Sequence, residues 1–148
     1  LDKRLYEAVE LFEEVMIYGT SRILKSVDGD VWRDFSREQV QMMKLIEKEE
    51  GMTSNRLAEL QGVHKSAVSN RLKKLLDKEV VEMIPDENDQ RTKLIMLTER
   101  GKQVVEKTNE MVFQYIERIF SEHIEEEELE QFISMFRKIK SILKVDGE

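Results

Sequence analysis

The sequence predicts a mainly α-helical fold with a small β-hairpin wing: a winged helix-turn-helix joined to a helical dimerisation lobe. Three observations carry this. Two short helical patterns flank a glycine between Met52 and Lys78. Two short apolar strands follow, separated by a polar tip from Asp86 to Thr92. Long segments at both ends of the chain repeat apolar residues at three- and four-residue steps, the period of a one-sided helix. Helix, turn, helix and hairpin in that order are the parts of a winged DNA-reading lobe.

The first element is one long helix from Leu1 to Val27. Leu5, Val9, Phe12, Met16, Gly19, Ile23 and Val27 recur along one side and form a helix-packing seam. Asp28-Gly29-Asp30 breaks it. That triplet lacks the other ligands and the spacing of an EF-hand, so a plain loop is expected. Trp32 and Phe35 lead into the next helix, which runs to about Glu50. Ser36 and Gln39 have capping-box spacing, and Phe35 with Val40 fits a hydrophobic staple. Val40, Met43 and Ile46 face inward, and Gly51 ends the helix.

Thr53 is the expected N-cap of the first helix of the pair, its hydroxyl accepting a backbone N–H of the first turn. Leu57, Ala58 and Leu60 make its apolar stripe. Gly62 stands where a positive φ ends a helix, and Val63 returns to the core. The second helix runs from Lys65 to about Lys78 with Val68, Leu72, Leu75 and Leu76 inward. Ser66, Asn70, Lys73 and Lys74 then face outward, flanked by Lys65, Ala67 and Ser69. Small side chains allow close approach to base edges, Asn, Ser and Lys hydrogen-bond to them, and an alanine methyl touches a thymine methyl. Cations suit phosphates. A solvated helix face has the same composition; its place after a capped helix and a glycine turn favours the DNA reading.

The hairpin pairs Val80, Val81, Met83 and Ile84 with Lys93 to Leu97, and Pro85 closes the first strand. Its tip is longer than a tight hairpin needs. Arg91 on a protruding ribbon suits a narrow minor groove, where the negative potential is strongest. The bland alternative is an ion pair with Asp89 or Asp86 that shapes the loop, and such a pair is compatible with DNA contact.

A long helix follows from Thr98 to about Phe120, with Val104, Val105, Met111, Val112, Ile116, Ile119 and Phe120 as its apolar set. The acidic run Glu125–Glu128 suits the N-terminus of a last helix, and Arg137, Lys138, Lys140 and Lys144 suit its C-terminal part. Leu129, Phe132, Ile133, Phe136, Ile139, Ile142 and Leu143 give that helix more apolar surface than a small monomer needs. A second copy of the chain would cover it.

The net charge of −7 looks wrong for a nucleic-acid binder. Its distribution answers the objection. Thr53 to Lys102 carries ten Lys/Arg against eight Asp/Glu, and Thr53 to Leu75 five against one. Binding would therefore rest on a local patch and be salt-sensitive. There is no cysteine, so disulfides and thiol redox sensing are excluded. No apolar run is long enough to span a bilayer and no signal-peptide pattern is present, so a cytoplasmic protein with no membrane partner is expected. His64 and His123 lie far apart without zinc-ligand spacing. No phosphate-binding glycine loop, nucleophile elbow or Cys/His pair occurs. No cofactor, metal or catalytic residue is expected, and the chain reads as a non-enzyme.

The run Asp89-x-Arg91-x-x-x-Ile95-x-Leu97-Thr98-x-x-Gly101 resembles the wing signature of the MarR family of bacterial regulators. Leu57-Ala58-Glu59, Gly62-Val63 and Ser66-Ala67-Val68-Ser69 resemble that family's helix-turn-helix. His64 stands where the family more often has serine or a similar N-cap. The resemblance implies a homodimeric, sequence-specific transcriptional regulator that binds double-stranded DNA, a ligand-responsive repressor on a palindromic operator. Residues 1–148 would form a single such domain, with 36–102 as the winged lobe and 1–35 with 103–148 as the dimerisation lobe. Ser66, Ala67 and Asn70 would meet bases. Thr53, Asn55, Lys65, Ser69, Arg71 and Lys73 would meet phosphates or nearby edges, and Arg91 the minor groove. The resemblance also implies a small-molecule effector, often aromatic or anionic, between the lobes. Met16, Tyr18, Arg22, Trp32, Met42, Met43 and Met111 are its candidate lining, with Arg22 suited to a carboxylate and methionines to varied shapes; ordinary core is the competing role for each. The alternative reading is a winged-helix protein-interaction module that binds no DNA, supported by the low basic charge.

Overall fold

In the computed structural model, which describes residues 2–26 and 29–145, the elements run α1 (Lys3–Ser26), α2 (Asp30–Asp34), α3 (Arg37–Lys48), α4 (Ser54–Gln61), α5 (Lys65–Asp77), β1 (Val81–Pro85), β2 (Lys93–Leu97), α6 (Glu99–Phe120) and α7 (Glu126–Val145). Leu1, Val27 and Asp28, expected in or just after the first helix, lie outside the described residues. The chain divides into two compact units, Leu1–Met111 and Val112–Glu148, with α6 running through the boundary.

In the first unit, α3 to β2 enclose the core. Met42, Met43, Met52, Leu57, Val68, Leu75, Val80 and Val105 are fully buried there. The start of α3 follows local chemistry. Ser36 Oγ accepts the Gln39 N–H at 3.2 Å and Gln39 Oε1 accepts the Ser36 N–H at 3.0 Å, so two orphan donors are satisfied reciprocally. Phe35 and Val40, flanking this cap, are both buried in the core. Two expectations are corrected. Trp32, expected to lead into the next helix, lies in a separate short helix, α2. α3 ends at Lys48, with Glu49 already extended and Gly51 in the left-handed region at φ 69°.

The two strands pair antiparallel, Val81 opposite Leu97 and Pro85 opposite Lys93. Val81, Ile95 and Leu97 are buried at the base, while Met83, Ile84 and Met96 are exposed as the ribbon leaves the core. The base is tied in by two backbone bonds: Ile95 N–H donates to the Met52 carbonyl at 2.8 Å and Thr98 N–H to the Val80 carbonyl at 3.1 Å. Thr98 also caps α6. Its hydroxyl accepts the Gly101 N–H at 3.1 Å and donates to the Glu79 carbonyl at 2.7 Å.

The exit of α5 is a Schellman turn. Val80 N–H donates to Leu75 O and Glu79 N–H to Leu76 O, with Glu79 at φ 57°. Glutamate here accepts a backbone conformation that glycine takes more easily.

α1 has no buried residue despite its seam. Leu5, Val9, Phe12 and Met16 are each about half exposed, at 58%, 51%, 51% and 52%. In the second unit, α7 exposes Leu129, Phe132, Phe136, Ile139, Ile142 and Leu143, and the Phe132 and Phe136 rings stack at 4.4 Å. The acidic run acts as anticipated at its start: Glu125 N–H donates to Glu128 Oε2 at 2.9 Å.

Candidate nucleic-acid interface

α4, the turn and α5 are positioned by their caps. Thr53 Oγ1 accepts the Arg56 N–H at 3.2 Å, and Gly62 takes φ 60° with its N–H directed at the Ala58 and Glu59 carbonyls. Arg56 adds a forked bond to Glu49 (2.9 and 3.0 Å) and reaches Glu59 at 3.1 Å, which fastens α4 to the end of α3. These carboxylates, Glu49 first, hold the guanidinium above its ordinary pKa. Leu57 and Ala58 are buried, but Leu60 is exposed, a correction to the three-residue stripe. The inward face lies between Leu57 and Ala58, and Leu60 sits about 110° away from its centre at 100° per residue.

His64 is the N-cap of α5. Its Nδ1 accepts the Ser66 N–H at 3.3 Å, so an imidazole does the work usually given to a hydroxyl. Val68, Leu72 and Leu75 anchor the inward face and Leu76 is half-buried. At the far end, Lys78 Nζ donates to the Asp34 carbonyl and lies 4.6 Å above the Phe35 ring. The helix is thereby held at both ends with its opposite face free.

That face carries Lys65, Ser66, Ser69, Asn70, Lys73 and Lys74, all exposed, with Ala67 half-buried beside them. Arg71 is half-buried and its Nη1 reaches Gln61 Oε1 at 3.5 Å. Asn55 is exposed on α4, while Thr53 is half-buried in its capping role.

The wing tip is built on aspartates. Asp86 Oδ1 accepts the Asn88 N–H at 3.1 Å. Asp89 Oδ1 accepts the Arg91 N–H at 3.0 Å and its Oδ2 the Thr92 hydroxyl at 3.1 Å. The anticipated alternative for Arg91 is corrected here. Asp89 holds the backbone of Arg91, not its guanidinium, and among the described residues the ion pairs involve Arg4, Arg33 and Arg56. The Arg91 side chain is exposed at the tip of a loop that its neighbour has shaped.

Of the residues anticipated around an effector, Met42, Met43, Trp32 and Met111 belong to or pack against one core cluster, and the three on α1 stand outside it. Met16, Tyr18 and Arg22 are exposed on α1, Met111 is half-buried, and Met42 and Met43 are sealed in the core with no exposure. Trp32 is half-buried, and its Nε1 is enclosed without a hydrogen-bond acceptor among the described residues. No group of His, Cys, Asp and Glu among them could hold a metal ion, and no helix among them is long and apolar enough to cross a membrane.

Comparison with known proteins agrees with this geometry. Residues 35–93, from Phe35 through both sides of the wing tip, match the model of the MarR family. Over 145 residues the chain is 36% identical to YdgG of Bacillus subtilis (strain 168), an uncharacterised HTH-type transcriptional regulator, covering 97% of this chain and 95% of that protein. A mutant of Staphylococcus aureus MepR bound to an oligodeoxyribonucleotide superposes with a TM-score of 0.61 at 25% identity, covering 89% of this chain and 97% of that one. The transcriptional regulator Tm0710 from Thermotoga maritima shares the fold, with a TM-score of 0.68 at 24% identity over 95% of this chain and 96% of its own. A relative matched over nearly its whole length, and a family model that spans the helix-turn-helix and reaches the wing, place this chain in the MarR family of helix-turn-helix transcriptional regulators.

Proposed function

We propose that the chain is a cytoplasmic, homodimeric, ligand-responsive repressor that binds a palindromic operator in double-stranded DNA. The observation that carries this is the free face of α5: small, amide and cationic side chains on a helix capped at its start and pinned at its end, beside a shaped wing that exposes Arg91. Residues 36–102 serve as the reading lobe. Residues 1–35 and 103–148 pair the protomers, which accounts for the many large apolar side chains that α1 and α7 expose in one chain. Ser66, Ala67 and Asn70 meet bases, Thr53, Asn55, Lys65, Ser69, Arg71 and Lys73 meet phosphates or nearby edges, and Arg91 enters the minor groove.

The effector reading rests on Trp32. Its indole N–H is enclosed with no acceptor among the described residues, which is unusual, and the oxygen of an aromatic or anionic ligand would satisfy it. Such a ligand acts by changing the spacing of the two recognition helices, which must match half-sites about one helical turn apart.

Selection of sites from a random DNA pool by the purified protein at moderate salt tests the function. Recovery of a two-fold symmetric site is the expected result; a folded dimer that enriches nothing, with or without candidate aromatic acids, would count against it. On the recovered site, Asn70→Ala should relax base preference at one position by about 1–3 kcal/mol. Arg91→Ala should weaken binding to all A·T-flanked variants together. Equal affinity and equal preference in both variants would remove these two assignments.

A further inference from the structure

The cap of α5 bears on which base the helix selects, and this inference rests on the reading of Ser66 as a base contact. His64 Nδ1 accepts the Ser66 N–H at 3.3 Å. A ring nitrogen that accepts carries no proton, so the hydrogen-bond network places the ring N–H at Nε2. Ser66 Oγ lies 3.1 Å from the same Nδ1. With Nδ1 an acceptor, the hydroxyl is the donor in that contact and shares the nitrogen's one lone pair with the Ser66 N–H. Its single proton is turned back onto the imidazole, and its lone pairs are left for whatever approaches from outside. Both side chains are exposed at the start of the helix, where a partner can meet them.

A serine that rotates freely reads donors and acceptors alike. We propose that His64 is a specificity-determining positioning residue: it makes Ser66 an acceptor toward DNA. The position read by Ser66 then selects a base with an amino group on its major-groove edge, adenine N6 or cytosine N4. It rejects one that offers only acceptors there, such as guanine. A serine or threonine at the cap accepts the backbone N–H through an oxygen that also donates, so it does not impose this polarity. The imidazole nitrogen, with one lone pair and no proton, does.

Site selection with the full chain tests this, using wild type, His64→Gly, His64→Asn and Ser66→Ala. Glycine is tolerated at N-caps with little loss of helix stability, and it removes Nδ1. Asparagine caps through Oδ1 and restores an acceptor beside the hydroxyl. Wild type and His64→Asn should prefer adenine or cytosine at one position of each half-site by about tenfold. His64→Gly and Ser66→Ala should flatten that same position and leave the others intact. A cap with a structural role alone would lower affinity evenly and leave every base preference in place, so an unaltered profile in His64→Gly overturns the inference. So does a wild-type preference for guanine or thymine at the position that Ser66→Ala flattens. If Ser66→Ala reproduces the wild-type profile throughout, Ser66 meets no base, and the site assignment fails together with this inference while operator binding itself stands.

Discussion

Gly101→Ala is expected to destabilise the protein by about 3 kcal/mol, at the upper end of what overpacking costs. A Cβ at this position would lie 2.0 Å from the Val80 carbonyl oxygen, 3.0 Å from its carbon and 3.4 Å from Leu97 Cβ. The obstacle is backbone, so no rotamer change relieves it. Nor is Val80 free to withdraw. Its carbonyl accepts the Thr98 N–H, its own N–H closes the turn after α5, and its side chain is fully buried. Moving it would disturb the end of the recognition helix, the base of the wing and the start of α6 together. Urea denaturation followed by circular dichroism measures the change; a midpoint equal to wild type would mean that α6 shifts without cost and that the close approach is dispensable. DNA affinity of the folded fraction should also fall, because the same contact sets α5 against the wing.

The second large effect is of salt on operator binding. With Lys65, Arg71, Lys73 and Arg91 from each protomer at phosphates or in the groove, affinity should fall on the order of 10⁴-fold between about 50 and 200 mM salt. A protein whose net charge is −7 is attracted to DNA only through its local patch, and counterion release from that patch dominates the dependence. Fluorescence anisotropy with the selected site measures the slope. A slope near zero would remove the phosphate assignments and bring forward the protein-interaction module. Removing one cation, as in Lys73→Ala, should make the slope shallower by about two in the dimer.

The elements whose signals are local can be read directly from neighbouring residues. The Ser36–Gln39 box, the Thr53 cap, the Gly62 turn and the Val68–Leu72–Leu75 face each depend on residues within a few positions of one another. The same is true of the second strand, Lys93–Leu97, and of the exposed face of α5, whereas Val80, expected in the first strand, closes the turn after α5. Such patterns are legible because caps and periodicity act over one or two helical turns. His64 carries a weaker capping signal, since an imidazole replaces the usual hydroxyl and its role depends on which ring nitrogen accepts. The short α2 carries no periodic signal in five residues and is held from a distance, by Lys78 through the Asp34 carbonyl.

Other features depend on partners that only folding brings together. Met42 joins Met43 in the core because α3 packs against both α4 and β2 and so buries a face wider than one stripe. Gly101 was visible as part of a motif, but its reason is a carbonyl that only the folded chain brings there. Asp89 serves the backbone of Arg91 rather than its guanidinium because the tip folds into a turn that presents two donors to one carboxylate. In each case the deciding partner lies across a packing contact or a turn geometry, and side-chain spacing along the sequence carries no record of either.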